Sequence, residues 1–178
     1  PVLISTKVNP EWLDGHYFNF FQKVAATHQL VVVFHINHSQ EIDEKFIESC
    51  ERLNKIGAML LSQTVLLKKI NNDATVLANL FSNLTNIGIK PYYLHHPDLV
   101  SGTHHFRISI EDGLKLIQQV RNKISGISMP TYVLDLPGGR GKVPVEALKK
   151  VGPKTYQGTN FKNEVVTYLD PAEETNEG

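Results

Sequence analysis

The chain has 178 residues, 41% of them hydrophobic and 20% charged, with 18 basic residues against 18 acidic ones. That is the composition of one ordinary globular domain with a core of its own, and zero formal charge excludes the basic footprint of a nucleic-acid or membrane-surface binder. No apolar run approaches the roughly 18 residues of a membrane span, no secretory leader is visible, and a single cysteine, Cys50, excludes an internal disulfide, so the cytoplasm is the expected compartment.

The opening residues, "PVLISTKVNP", carry no methionine and read as the end of a strand leading into a helix, so a piece of a longer protein is expected. "LVVVFHINH" (30–38) is a β-branched strand, too continuous for a surface strand. Residues 41–57 place Ile42, Phe46, Ile47, Cys50 and Leu53 at helical spacing and stop at Gly57. "AMLLSQTVLL" (58–67) is the next strand, 73–88 a helix closed by Gly88, and "IKPYYLHHPD" (89–98) a third strand. A third helix spans 109–126 with Ser109 as N-cap, and "MPTYVLDLPGG" (129–139) is a fourth strand. "KTYQGTN" and "EVVTYLD" pair as a hairpin, before a frayed tail, "PAEETNEG".

Strands alternating with helices over short connections predict parallel βαβ units, and continuous apolar strands predict a sheet covered on both faces. A doubly wound sheet and part of a β/α barrel both satisfy that pattern. Each strand turns polar at its C-terminal end: His35, Asn37 and His38 on the first, Gln63 on the second, His95, His96 and Asp98 on the third, Asp135 on the fourth. Active sites of α/β sheets and barrels gather at that end.

The fourth strand runs into "VLDLPGGRGKVP" (133–144). It is no phosphate-binding P-loop, because position 136 is Leu and position 143 is Val, and no good helix follows to make it a dinucleotide fingerprint. Taken alone it is a glycine turn carrying a solvated lysine. At a strand-end rim, however, a lysine can form an imine with an aldehyde cofactor, and glycines let a phosphate-bearing ring come close. Six of eight histidines fall in three groups, 35/38, 95/96 and 104/105, but adjacent residues on a strand face opposite ways. No His-Glu-x-x-His or Cys-x-x-Cys is present, so no metal ligands are assigned. Asp98 and Asp135, if they share a pocket, demand a cation between them. Cys50 lies on an apolar helix stripe and reads as core.

Four blocks carry a resemblance. "VLDLPGGRGKVP" resembles the D-x-P-G-G-x-G-K-x-P segment of the lysine 2,3-aminomutases, "PYYLHHPDLVSGTHHFR" (91–107) their PYY…D…G…HFR segment, "FHINHSQEI" (34–42) their HFNHP…EI segment, and "SQTVLLKKINND" (62–73) their NQ-x-VLL-x-GVND segment. The resemblance runs from residue 1 to about 168. It implies the C-terminal half of a six-stranded partial (β/α) barrel over residues 1–145, with a hairpin-bearing C-terminal extension over 146–178. It implies enzymes that use pyridoxal 5′-phosphate, S-adenosylmethionine and a 4Fe-4S cluster to shift an amino group from the α to the β carbon of lysine. Lys142 falls on the pyridoxal lysine, within a loop of Gly138, Gly139 and Gly141. Asp98 and Asp135 fall on the carboxylates that hold the substrate's side-chain ammonium. His35, Asn37 and Gln63 fall on strand ends that approach S-adenosylmethionine and the cofactor.

The cluster's cysteine motif is absent and, in the family, lies upstream of the matched region. The fragment alone is therefore expected to be inactive. Arg140 and Ser62 replace a glycine and an asparagine of the family pattern, and Asp73 stands where some members place a zinc cysteine, so no such zinc is expected. A related branch that prepares β-lysine for a translation factor, a half barrel without chemistry, and a histidine-rich metallohydrolase are the rivals. Open sheet edges predict self-association.

Overall fold

A computed structural model of the chain describes residues 1–7, 16–100 and 102–171. The tail from residue 172 and residues 8–10 of the opening segment lie outside them. Five parallel strands, β1 (Val2–Lys7), β2 (Leu30–His35), β3 (Met59–Val65), β4 (Lys90–His95) and β5 (Thr131–Asp135), lie side by side in chain order. A short strand, β6 (Lys142–Pro144), adds antiparallel to β5 at the edge. Helices α1 (His16–Thr27), α2 (Glu44–Lys55), α3 (Ala74–Asn86) and α4 (Ile110–Arg121) make the crossovers. A second sheet, β7 (Lys149–Gly152), β8 (Thr155–Thr159) and β9 (Val165–Leu169), is antiparallel throughout.

The helices start where the sequence offers a cap. Asp43 accepts from Phe46 N at 2.8 Å, Asp73 from Thr75 N and Val76 N, and Ser109 from Asp112 N; each cap contributes about 1 kcal/mol. Helices α2 and α3 end before Gly57 and Gly88, both left-handed at φ 81° and 82°.

Strand order decides between the two architectures left open by the sequence. A doubly wound sheet reverses its order at a switch point. Here each strand lies beside its predecessor, so right-handed crossovers carry every helix to one face, as in a barrel wall. That face is the core: Val32, Phe34, Ile36, Leu60, Leu94, Tyr132 and Leu134 pack with Phe46, Cys50, Leu77, Phe81, Ile117 and Val120. Among the described residues no helix lies on the opposite face, which corrects the expectation of two covered faces. Val31, Val33 and Val133 point there and are buried, yet they lie outside the core cluster, while Leu3 and Met59 on the same face are 64% and 52% exposed. Continuous Val/Ile runs therefore mark strands shielded by their neighbours on an open face, not by a second helical layer. Strands β1 and β6 are the two edges of the main sheet, which is not closed into a barrel.

The small sheet joins the same core through Tyr156, Val166 and Tyr168. No described helix is long and apolar enough to cross a membrane.

Candidate functional site

Register places the polar strand ends on one surface. His35 is beside Gln63, Val65 beside His95, and Asp135 beside Lys142, all on the open face. At the β4–β5–β6 corner three side chains meet. Lys142 Nζ donates to Asp135 Oδ1 at 2.5 Å, and His95 Nδ1 donates to Asp135 Oδ2 at 3.0 Å. Both carboxylate oxygens are thus engaged, one by a cation and one by an imidazole. Partial burial pushes the Asp135 carboxyl up, but the hydrogen bonds from Lys142 and His95 outweigh it and hold the group below its ordinary value. Burial lowers His95, against the pull of Asp135. A neutral ring that donates through Nδ1 keeps a lone pair on Nε2, and that atom is buried without a partner among the described residues.

A register shift in β4 opposite Ser62 and Gln63 brings two consecutive tyrosines together. The Tyr92 and Tyr93 rings lie 3.9 Å apart, Tyr92 OH donates to Tyr93 OH at 2.9 Å, and Tyr93 meets His95 edge-on at 5.7 Å. Its hydrogen bonding with Tyr92, its burial and the nearby Asp135 charge together push the Tyr93 phenol up to about 12, so it stays protonated. This aromatic wall was not foreseen. Its signal was the Tyr-Tyr pair in a strand, which a strict two-residue alternation splits between faces.

The remaining expected residues are arranged differently. Asp98 is exposed beyond β4; its charge reaches His95, but it makes no hydrogen bond to the corner among those described. Ser5 Oγ lies 2.7 Å from His35 Nε2, at the far side of the sheet from Lys142. Gln63 is half-buried between them. Asn37 joins strand ends: its Oδ1 accepts from Val65 N at 2.8 Å and its carbonyl accepts from Asn71 Nδ2. His96 turns to the helical face, where its Nδ1 lies 2.7 Å from Tyr132 OH. The two neighbouring histidines thus split between faces, as strand alternation requires.

The loop between β5 and β6 turns on glycine. Gly138, Gly139 and Gly141 have φ of 76°, 69° and 97°, a region that side-chain-bearing residues rarely enter, and Leu136 N donates to Gly141 O at 2.8 Å to close it. A cleft of about 440 Å³ opens beside it, lined by Gly138, Gly139, Arg140, Phe161, Lys162 and their neighbours. Arg140 and Lys162 have no ion-pair partner among the described residues. Among those residues no group of three or more His, Cys, Asp or Glu side chains could hold a metal ion.

No family model matches the chain. Curated relatives do. An Aquifex aeolicus protein provisionally named L-lysine 2,3-aminomutase is 43% identical over 136 residues, covering 75% of this chain and 37% of its own. The L-lysine 2,3-aminomutase of Fusobacterium nucleatum is 34% identical over 179 residues, covering 99% of this chain and 40% of its own. The glutamate 2,3-aminomutase of Clostridioides difficile is 38% identical over 136 residues, covering 76% and 32%. The chain thus spans well under half the length of each of these relatives.

Proposed function

The chain belongs to the lysine 2,3-aminomutase family, and from that premise we propose that its open sheet face is the pyridoxal- and substrate-binding part of an enzyme that moves the α-amino group of lysine. The observation that carries this reading is the Lys142–Asp135–His95 corner at the C-terminal strand ends.

The residues present fit pyridoxal phosphate. Lys142 offers a primary amine on the open face, and nothing lies within 4 Å of where a Cβ at Gly139 would be, leaving the loop backbone open to a ligand. Arg140 and Lys162, set against the single carboxylate of Glu164, bring net positive charge to the adjoining cleft for a phosphate. The buried, partnerless Nε2 of His95 can accept one hydrogen bond from a bound ligand. When bound, pyridoxal phosphate conjugates an amino nitrogen with its ring and so lets that nitrogen migrate between neighbouring carbons. The implied iron–sulfur cluster finds no fit: Cys50, the one cysteine, is buried in the helical layer, where burial pushes its thiol up to about 12.

Each corner residue has a task. Asp135 holds the Lys142 ammonium while no ligand is present. With pyridoxal phosphate held at Lys142, that amine would no longer serve Asp135 as a cation, and a half-buried carboxylate would favour a replacement cation. The side-chain ammonium of lysine supplies one; the carboxylate of glutamate would be repelled. Asp98, whose charge already reaches His95, adds to the same negative field. His95 keeps Asp135 oriented through Nδ1. The Tyr93 ring, edge-on to His95, walls one side of the corner.

The test is chemical. Full chain is loaded with pyridoxal phosphate, reduced with borohydride and mapped by peptide mass spectrometry. One dominant adduct on Lys142, lost in Lys142→Ala, is expected. Labelling spread over the exposed lysines would overturn the proposal.

A further inference from the structure

A loop with three left-handed glycines has wide conformational freedom, and an amine at its end is not held by the loop itself. Lys142 directly follows that loop, so its direction depends on what braces the backbone on either side.

Beside the β5–β6 pairing at Lys142 and the Leu136 N–Gly141 O bond, a further brace is the β8–β9 hairpin, which touches both neighbours of Lys142. On the leading side, a Cβ placed on Gly141 would lie 3.1 Å from Phe161 Cδ1 and 3.5 Å from its Cε1, so the ring edge lies against the Gly141 backbone. On the trailing side, a Cβ on Gly158 would meet Val143 Cγ2 at 3.2 Å and Leu136 Cδ2 at 3.5 Å, so the β8 backbone rests on residues flanking both ends of the loop.

The hairpin tip is itself heavily bonded. Buried Asn160 accepts from Lys162 N and Glu164 N through Oδ1, both at 2.9 Å, and donates through Nδ2 to Glu164 Oε2 at 2.8 Å. Its backbone closes the turn with Glu164 O and Asn163 N, each at 3.0 Å. A tip fixed by five hydrogen bonds presents Phe161 in one place. The ring is nevertheless 77% exposed, so its contact with Gly141 contributes little core burial.

We infer that Phe161 is a positioning residue: the hairpin tip clamps the glycine loop at Gly141 and thereby sets the direction of the Lys142 amine. This rests on the pyridoxal reading of Lys142 for its functional meaning, while the clamp itself can be read without any ligand.

The experiment compares Phe161→Ala and Phe161→Tyr with the parent, all as full chain. Hydrogen–deuterium exchange across residues 136–143 reads the clamp directly. Exchange about tenfold faster in Phe161→Ala, recovered in Phe161→Tyr, is expected for a loop released from a local restraint. Borohydride-fixed pyridoxyl label on Lys142 should fall about tenfold or more in Phe161→Ala at equal cofactor, because a misplaced amine loses its productive geometry. The thermal midpoint should stay where it was. Unchanged exchange in Phe161→Ala overturns the clamp, as does a loss of label that merely tracks a fallen midpoint. Faster exchange in Phe161→Ala, alongside a parent that never labels at Lys142, leaves the clamp standing and overturns the pyridoxal reading instead.

Discussion

His95 and His96 are neighbours in the chain and opposites in the molecule. The first sits on the open face, bonded to a carboxylate and next to a lysine amine. The second is 3% exposed under the helices, its ring nitrogen against a buried phenol. The same contrast runs along the whole sheet. The helical face carries the packing, and the other face gathers His35, Gln63, His95, Asp135 and Lys142 with no described helix over them. One face therefore holds the packing and the other the residues of the proposed site, and mutations should separate the two.

The largest expected effect is on the helical face. Phe81, fully buried, should cost about 3–5 kcal/mol when replaced by Ala, read by urea unfolding; a cost under about 1 kcal/mol would break the contrast.

Next is a pH effect from His96. Burial lowers this ring from 6.5 to about 4. As pH falls the unfolded chain takes the proton first, so stability is full above pH 6.5 and is lost down to about pH 4. The loss attributable to this one group should be about 3 kcal/mol, and His96→Gln should flatten that part of the curve. An unaltered pH dependence in the variant would show that the ring is not held neutral by burial.

Asp135→Asn should sharpen the contrast from the other side. It should weaken lysine binding by roughly 10- to 150-fold, the worth of a charge-assisted hydrogen bond. It should change folding stability by less than about 1 kcal/mol, since Asp135 and Lys142 are both about a third exposed. A large stability loss would place Asp135 among the structural residues. The smallest effect belongs to Leu3→Ala on the open face, within about 0.5 kcal/mol; a greater cost would mean that this face is covered.

Much of the fold was legible because the signals were local. Ser109 caps a helix, Gly57 and Gly88 follow the ends of two others, and "TYQGT" pairs with "VVTYL" in the expected hairpin. What was not legible depended on distant partners. β6 was hidden because only three residues after the glycine turn pair back onto β5. β7 was hidden in a lysine-rich stretch. The first strand proved a full six residues, beyond the strand end read from it. The open face was missed because Val31 and Val33 look the same in sequence whether strands or helices shield them. At the site, Asp135 and Lys142 are seven residues apart and their meeting follows from the hairpin. The 40-residue link from His95 to Asp135 and the contact of Phe161 with Gly141 do not follow from any local pattern.

The most direct test of the account is competition for the corner. The full chain, loaded with pyridoxal phosphate, is titrated with lysine and with glutamate, and displacement of the cofactor from Lys142 is followed by absorbance in the parent and in Asp135→Asn. The account predicts displacement by lysine at concentrations at least about tenfold below those needed with glutamate, with the preference lost in Asp135→Asn. Equal displacement by both amino acids, or a lysine preference that survives in Asp135→Asn, would contradict the assignment of Asp135 and Lys142 to one lysine-binding face.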